Sequence, residues 1–326
     1  MVDELPARNV GLDLVRVTET TALAAARWIG SGNQAEAHRA ATRAMAAALN
    51  TIDINGRIVI GEERGSPVDD LLYSGRVVGT GHGPEVDLVV DPIDGTQSLV
   101  RGRPGAISLV GIAPRGSMWS PVPAIYMEKI IVDRRAASVI TPECMDAPAA
   151  WTLALIARVK EKAVRDLTVI VLDRPRHKHL IDEIRATGAR ILLRDEGDAE
   201  GSLVVTSPET GVDVLMGIGG ASQGVIAACS VQAMEGAMLA RLAPQSDEEM
   251  AAVREAGLDP TRILTAAEII SSDEIFFAAT GITHSRLLPA MQFHGTHATT
   301  HSLLMRAETG TRRFIVAEHS ARVGRR

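Results

Sequence analysis

The chain has 326 residues, of which 46% are hydrophobic and 23% charged, and its formal net charge is −6. This composition excludes a disordered chain and supplies enough apolar residues for one large domain or two smaller ones. The acidic balance gives no indication of a nucleic-acid partner, because proteins that bind phosphate backbones usually carry a basic face.

The N-terminal part of the chain predicts two helices followed by strands. Apolar residues spaced by three and four predict a helix over residues 13–29, and alanine-rich sequence predicts a second helix over residues 35–50. Short β-branched and apolar runs then predict buried strands, at residues 57–60, 86–90, 106–113 and 130–132.

From about residue 151 the pattern changes to alternating helices and strands. The predicted helices cover residues 153–162, 179–187 and 224–239. The predicted strands cover residues 167–172, 189–193 and 203–205. This alternation indicates layers of helices and sheets, with a lobe boundary expected near residues 145–165.

Cysteine usage and hydropathy indicate a cytoplasmic protein. Cys144 and Cys229 are too few for a secreted fold held by disulfides, so a reducing compartment is expected. The N-terminal segment is acidic and lacks the apolar stretch of a signal peptide. No apolar run reaches the roughly 18 residues of a membrane span, so no membrane partner is predicted.

The most informative segment reads Asp-Pro-Ile-Asp-Gly-Thr over residues 91–96, directly after a predicted strand. Two carboxylates three residues apart, Asp91 and Asp94, can converge on one point outside the sheet and suit Mg²⁺ or Mn²⁺. Thr96 can hold or polarise a metal-bound water. The competing interpretation is a capped turn in which Asp94 and Thr96 bond backbone amides. The complete six-residue string favours the metal site.

Glu62 follows the neighbouring predicted strand at residues 57–60. A carboxylate at that strand end can reach the same metal and act as a base toward its water. A glutamate at a strand end is usually only solvated. It is the downstream aspartate string that makes Glu62 a candidate ligand.

Glu62 followed about 30 residues later by Asp-Pro-Ile-Asp-Gly-Thr resembles the metal-binding signature of the lithium-sensitive sugar-phosphatase superfamily, which contains inositol monophosphatases and fructose-1,6-bisphosphatases. Further segments resemble the class II (GlpX-type) fructose-1,6-bisphosphatases in order along nearly the whole chain. They are Arg-Val-Thr-Glu at 16–19, Tyr-Met-Glu-Lys at 126–129, Pro-Arg-His at 175–177, Gly-Ile-Gly-Gly at 217–220 and Ala-Thr-Gly-Ile-Thr at 279–283.

The resemblance implies one α/β fold over residues 1–326, a layered α/β/α/β/α sandwich of the sugar-phosphatase type with two lobes. A metal-binding lobe is expected over about residues 1–150 and a substrate-binding lobe over about residues 151–326. The implied cofactor is Mg²⁺ or Mn²⁺, the implied partner is a small phosphorylated substrate, and the implied assembly is a homodimer or homotetramer.

Carried over residue by residue, the resemblance also implies the site. Glu62, Asp91, Asp94 and the carbonyl of Ile93 would bind metal, and Thr96 would assist the attacking water, so that Glu62, Asp94 and Thr96 form the catalytic group. The implied substrate-binding residues are Ser98, Tyr126, Arg174, Arg176, Asp198, Gly219 and Gly220. Arg174 stands where the family usually has a lysine and keeps its positive charge.

The chain departs from the family pattern at positions that matter for the metal. His38 replaces an expected metal-binding aspartate, Gln34 an expected lysine and Gln223 a metal-ligating glutamate. A further aspartate is missing after Glu62 unless Asp69 or Asp70 takes its place. Fewer anionic ligands predict one retained hard cation and weaker binding of any second one.

Three functions are compatible with this pattern. The first is an active metal-dependent phosphatase with a retuned site, acting on a sugar phosphate or related metabolite other than fructose 1,6-bisphosphate. The second is a non-catalytic relative that binds a sugar phosphate as a sensor or regulatory subunit. The third is an ordinary fructose-1,6-bisphosphatase. The intact carboxylate set favours the first, His38 and Gln223 favour the second, and the combined departures count against the third.

Two other patterns are weak. His297 and His301 have the i, i+4 spacing that binds metal on a helix, but the surrounding threonines weaken a helix and solvated histidines are favoured. The glycines at residues 217–220 lack the third glycine of a dinucleotide fingerprint, so a nicotinamide cofactor is not expected.

Overall fold

The structure is a computed structural model that describes residues 10–62 and 71–320. Asp69 and Asp70, considered above as replacements for a family aspartate, lie outside the described residues. The helices are α1 (Gly11–Ala25), α2 (Gln34–Leu49), α3 (Thr96–Val100), α4 (Ala149–Val159), α5 (Lys178–Ala186), α6 (Asp198–Thr206), α7 (Ala221–Ala233), α8 (Asp247–Glu255) and α9 (Ala266–Ile269). The strands are β1 (Asn55–Ile60), β2 (Val77–Val78), β3 (Glu85–Asp94), β4 (Ile107–Pro114), β5 (Tyr126–Val132), β6 (Thr168–Leu172), β7 (Arg190–Arg194), β8 (Val214–Gly220), β9 (Ala237–Leu242), β10 (Leu264–Thr265), β11 (Phe276–Gly281), β12 (Gln292–His294), β13 (His297–Arg306) and β14 (Thr311–Ser320).

The described strands form two mixed sheets. The first has eight strands in the order β12-β13-β11-β4-β3-β1-β2, with β14 pairing along β13, and β1 runs parallel to β3. The second has six strands in the order β10-β9-β5-β8-β6-β7, with β6 parallel to both β7 and β8. The first sheet takes β11–β14 from the C-terminal part and the second takes β5 from the N-terminal half. The assignment of binding roles to two lobes therefore stays a prediction.

Helices pack on every face of the two sheets. Helices α1 and α2 cover the outer face of the first sheet, α6 and α7 lie between the sheets, and α4 and α5 cover the outer face of the second sheet. The apolar side chains of the three helical layers supply the hydrophobic cores between them. The expected α/β/α/β/α sandwich is confirmed.

Two sequence predictions in the second sheet region are wrong. Residues 203–205 lie in α6, not in a strand, and every residue of α6 is buried. A short buried β-branched run has the same apolar pattern in a helix as in a strand, so periodicity does not separate them. The helix predicted over residues 224–239 ends at Ala233, because Glu235 adopts a left-handed backbone (φ 57°) and β9 follows.

The C-terminal histidines also lie in a different element from the one that metal spacing on a helix requires. His297 and His301 are in β13, where residues four apart are separated by about 13 Å along the strand. His294 lies in β12 and its ring contacts the Gln292 side chain at 3.1 Å. This placement agrees with the preferred interpretation of these side chains as solvated or hydrogen-bonded.

Glu19 of α1 is buried against β13 and predicts a pH dependence of stability. Its carboxylate accepts a hydrogen bond from Thr300 at 3.2 Å, and burial raises its pKa although the positive charges of His319 and Arg16 oppose the shift. The folded protein therefore keeps the Glu19 proton to higher pH than the unfolded chain, and this contribution to stability is lost as pH rises through the folded pKa.

We expect Glu19→Gln, which keeps the acceptor for Thr300, to be more stable than the wild type at about pH 8 and to lose that advantage toward about pH 4.5. Urea unfolding at the two pH values measures the difference. An advantage that is equal at both pH values, or larger at the lower one, would contradict the role given to Glu19.

Among residues 10–62 and 71–320, no helix is long and apolar enough to cross a membrane.

Candidate active site

A cavity of about 780 Å³ opens at the strand ends of both sheets. It is lined by Gln34, His38, Ile60, Gly61, Glu62, Val90, Asp91, Ile93, Asp94, Gly95, Thr96, Tyr126, Leu172, Arg174, Arg176, Glu196, Gly197, Asp198, Gly219, Gly220, Ser222, Gln223 and Ile226. These include every candidate site residue of the sequence analysis except Ser98. Ser98 lines a neighbouring cavity of about 350 Å³, and its N–H donates to the Glu196 carboxylate.

The carboxylates of Glu62, Asp91 and Asp94 reach the cavity because β1 and β3 are parallel neighbours, so their C-terminal ends meet at one edge of the sheet. Strand β3 continues through Asp94 with an irregular register against β4 between Asp91 and Asp94. Gly95 then takes a left-handed backbone (φ 92°) that starts α3, a conformation that favours glycine.

Neighbouring groups shift the pKa of Asp91 in both directions. Burial and the negative charge of Glu62 raise the pKa of Asp91 to about 7. The Ile93 N–H, which donates to Asp91 at 3.1 Å, and a hydrogen bond from Gln223 oppose that shift. The surroundings of the Asp91 carboxylate therefore disfavour its charged form.

Asp94 is buried more deeply. Burial, followed by the negative charges of Asp91, Asp198 and Glu196, raises the pKa of Asp94 well above its usual value, while Arg194 opposes the shift. The Asp94 Oδ2 atom accepts a hydrogen bond from the Glu200 N–H at 2.7 Å. Three other carboxylates thus disfavour the charged form of Asp94, and Arg194 offsets part of their effect.

The donors at this edge suit a hard divalent cation by their chemistry, since they are carboxylate and carbonyl oxygens whose mutual repulsion a cation would relieve. Across the parts of the chain that the structure describes, no three His, Cys, Asp or Glu side chains are grouped closely enough to hold an ion. The metal-binding roles of Glu62, Asp91, Asp94 and the Ile93 carbonyl stay predictions.

Both residues that replace expected anionic ligands contact a candidate ligand. His38 Nε2 lies 2.8 Å from Glu62 Oε2, and this hydrogen bond raises the pKa of His38. Gln223 hydrogen-bonds Asp91. The substitutions therefore place an imidazole and a neutral amide against carboxylates, where the family pattern has two further carboxylates.

The Thr96 hydroxyl donates to the Ile93 carbonyl at 3.0 Å. This contact joins the proposed water-assisting residue to the carbonyl proposed as a metal ligand. Thr96 is also the first residue of α3, whose start lies at the cavity.

The opposite side of the cavity carries positive charge. Arg176 stacks over the Tyr126 ring at 4.9 Å and donates to the Ile218 carbonyl at 2.9 Å and 3.2 Å. His177 Nδ1 donates to the Leu172 carbonyl at 2.7 Å while its Nε2 accepts from the Ile218 N–H at 2.8 Å, and burial lowers its pKa. The neutral His177 therefore fixes the backbone that holds Arg176 in place.

Lys129 is a buried residue of the site region that the sequence analysis did not single out. Its Nζ atom lies 2.6 Å from Asp198 Oδ2 and 3.1 Å from the Gly220 carbonyl. A Cβ on Gly219 would lie 1.5 Å from the same Asp198 oxygen, so the close approach of Asp198 to β8 requires glycine there. A lysine inside the apolar strand β5 was the available signal.

Glu196 and Arg194 were also missed. Glu196 lines the cavity, and Arg194 lies behind Asp94 in an ion pair with Glu200. Arg194 ends β7 and Glu196 lies in the acidic turn that follows it, and charged residues at such places are usually solvated, so charge alone does not identify either residue. Only the fold brings this turn against the end of β3.

The chain is similar to known proteins over nearly its whole length. Residues 8–319 match the family model described as bacterial fructose-1,6-bisphosphatase, glpX-encoded. The chain is 36% identical over 327 residues to the fructose-1,6-bisphosphatase 1 class 2 of Escherichia coli (strain K12), covering 96% of this chain and 95% of that protein. The fructose-1,6-bisphosphatase class 2 of Shigella flexneri gives the same identity and coverage.

Proposed function

The chain belongs to the family of glpX-encoded bacterial fructose-1,6-bisphosphatases, and from that premise we propose that it is a metal-dependent phosphatase of a sugar phosphate or related phosphorylated metabolite. The family is one of phosphoric monoester hydrolases that act on sugar phosphates. The proposal extends this activity to the present chain and allows a substrate other than fructose 1,6-bisphosphate.

The observation that supports hydrolysis is the placing of Asp91 and Asp94 at the end of β3, where burial and then the charges of neighbouring carboxylates raise both pKa values. Such carboxylates destabilise the fold unless they serve a ligand. A protein that only bound a sugar phosphate would need cationic groups and would gain nothing from carboxylates beside the phosphate.

The proposed cofactor is Mg²⁺ or Mn²⁺, which would supply charge neutralisation and a water of lowered pKa. Glu62, Asp91, Asp94 and the Ile93 carbonyl would hold it. Glu62 would accept the proton from the attacking water, Asp94 would complete the catalytic group beside it, and Thr96 would orient that water through its hydroxyl.

The substrate would lie between the carboxylate edge and the opposite wall. Arg174 and Arg176 line that wall, and α7 begins directly after Gly220, so backbone N–H groups and guanidinium groups face a bound phosphate. Asp198, held by Lys129, offers an acceptor for sugar hydroxyls. Tyr126 supplies a flat apolar contact, and Ser98 acts through the adjoining cavity.

A sensor or regulatory subunit that binds without turnover is the second candidate. It is favoured by the hydrogen bonds from His38 to Glu62 and from Gln223 to Asp91, because each occupies a carboxylate that a metal would need. A cytoplasmic homodimer or homotetramer is proposed for either candidate.

Gln223→Glu tests whether a metal binds beside Asp91, as the phosphatase requires. The added carboxylate would restore an anionic donor beside Asp91, so we expect Mn²⁺ to bind about tenfold more tightly and phosphate release to rise several-fold. Calorimetry of Mn²⁺ binding to the metal-stripped protein measures the affinity, and Gln223→Leu serves as the matched uncharged control. Weaker Mn²⁺ binding by Gln223→Glu than by wild type would contradict a metal at this edge.

The function itself is tested with a panel of sugar and nucleoside phosphates supplied with Mg²⁺ or Mn²⁺. Release of phosphate from one class of substrate, well above the others, would identify the reaction. Calorimetric binding of a panel compound with no phosphate release would instead establish the sensor.

A further inference from the structure

Strand β14 is an exposed edge with no neighbour on its outer side among the described strands. It pairs with β13 in unbroken register over ten residues, from His297 opposite Ser320 to Arg306 opposite Thr311. A long regular edge presents a row of outward-facing backbone donors and acceptors with which another strand can pair. Natural proteins usually protect such edges with proline, bulges, short strands or a covering element.

Protection of β14 is limited to its charged side chains, Arg312, Arg313 and Glu318. The strand contains no proline and its register has no bulge. With ten residues it is as long as β13, the strand with which it pairs. Its even-numbered residues point to solvent, with Phe314 53% and Val316 65% exposed. Ile315, Ala317 and His319 are less exposed, whereas Arg313 is exposed, and Ile315 packs against the core under α1. An apolar pair at an open edge indicates a partner that covers it.

The sequence of β14 is complementary to itself in one antiparallel register. Side chains directly opposite each other in a sheet share a face, so a residue pairs with one of the same parity in a second copy. When Ile315 lies opposite Ile315 of a second copy, Arg312 faces Glu318 and Phe314 faces Val316 on the exposed side. On the exposed face of this register, each arginine therefore lies opposite a glutamate and each phenylalanine opposite a valine.

Neighbouring registers lose this match. Centring the pair on Phe314 places Arg312 opposite Val316, and centring it on Val316 places Phe314 opposite Glu318. On the exposed face, each of these registers sets a charged side chain against an apolar one at both ends of the twofold pair, whereas in the register centred on Ile315 the pairing of Arg313 with Ala317 lies on the other face. If an odd-numbered residue of one copy lay opposite an even-numbered residue of the other, the exposed apolar face of one copy would lie beside the buried face of the other.

We propose that β14 pairs antiparallel with β14 of a second copy of this chain around a twofold axis at Ile315, joining the two eight-stranded sheets into one. The interface is isologous, so each charge pair and each Phe-Val pair occurs twice. This contact lies on the first sheet and uses none of the residues that line the candidate active site.

Cysteine cross-linking tests the register. Opposite Cα atoms in an antiparallel pair lie about 4.5–5.5 Å apart, which is within disulfide range. Ile315→Cys is expected to form a covalent dimer under mild oxidation, and Phe314→Cys, which faces Val316, is expected to stay largely monomeric on a denaturing gel. The native cysteines Cys144 and Cys229 are buried and give the wild-type background. Cross-linking of Phe314→Cys in preference to Ile315→Cys would overturn the register.

A charge series gives a second readout that needs no oxidation. Because Arg312 also contacts Glu209 of its own chain at 3.2 Å, all variants are made in a Glu209→Gln background, which itself is expected to associate as the wild type does. Arg312→Glu or Glu318→Arg alone is expected to raise the dissociation constant about tenfold or more, and the double swap to restore it. Sedimentation velocity over a concentration series measures the constant. A wild-type chain that stays monomeric, or a swap that fails to restore association, would overturn the proposal.

Discussion

Asp94→Asn is expected to lower phosphate release by about 10³-fold or more while leaving the protein at least as stable as the wild type. The asparagine keeps the acceptor for the Glu200 N–H and nearly the same volume. It removes the charge that burial and the nearby Asp91, Asp198 and Glu196 make unfavourable. Loss of turnover with retained or increased stability is the result typical of a residue held in a strained state for catalysis.

The two measurements are a phosphate-release assay with the best panel substrate and urea unfolding without added metal. Asn33→Ala, which removes only the N-cap of α2 outside the carboxylate cluster, controls for general damage. Turnover of Asp94→Asn within about threefold of the wild type would remove Asp94 from the catalytic group.

Lys129→Met has the largest expected effect on stability, a loss of about 3–5 kcal/mol. Lys129 and Asp198 form an ion pair in which both side chains are buried, with 1% and 7% exposure. Methionine fills the volume of the lysine stem but leaves the Asp198 carboxylate without its cation. Urea unfolding at neutral pH measures the change.

The control is Lys129→Met combined with Asp198→Asn, which removes both charges. Because the penalty comes from one unpaired buried charge, the double variant is expected to recover most of the lost stability. Equal stability of the single and double variants would show that Lys129 acts by packing. The double variant is still expected to bind substrate more weakly, since Asp198 lines the cavity.

Most helices and strands could be predicted because their apolar periodicity is local. The first helix, the strand before Glu62 and the strand before Asp91 lie within a few residues of their predicted bounds. The failures were elements whose identity depends on distant contacts. Helix α6 is buried on all sides between the two sheets, so its sequence lacks the polar face that marks a helix.

The site residues that could be predicted are those that lie in short sequence motifs. The aspartate string and Glu62 could be predicted because each follows a β-branched run and together they match a family motif, and the structure pairs the two runs as parallel strands and brings the remaining candidates to them apart from Ser98. Lys129, Glu196 and Arg194 carry no local pattern. Lys129 acts on Asp198 across 69 positions of sequence, a contact that only the packing of β5 against α6 produces.

The structure shows which groups the His38 and Gln223 side chains contact, and the sequence alone does not show this. Each side chain donates to a carboxylate that the family resemblance assigns to metal binding. They therefore offset part of the negative charge at the strand ends, where the family pattern has further carboxylates. Under the proposed function, these contacts compete with a divalent cation for Glu62 and Asp91.

The most direct test of the proposed phosphatase is phosphate release by the metal-stripped protein during titration with Mg²⁺ and, separately, Mn²⁺, with Asp91→Asn beside the wild type. The proposed function predicts no release without metal, saturating release with one or both cations, and none above background from Asp91→Asn. Release that needs no metal, or that Asp91→Asn retains in full, would contradict it.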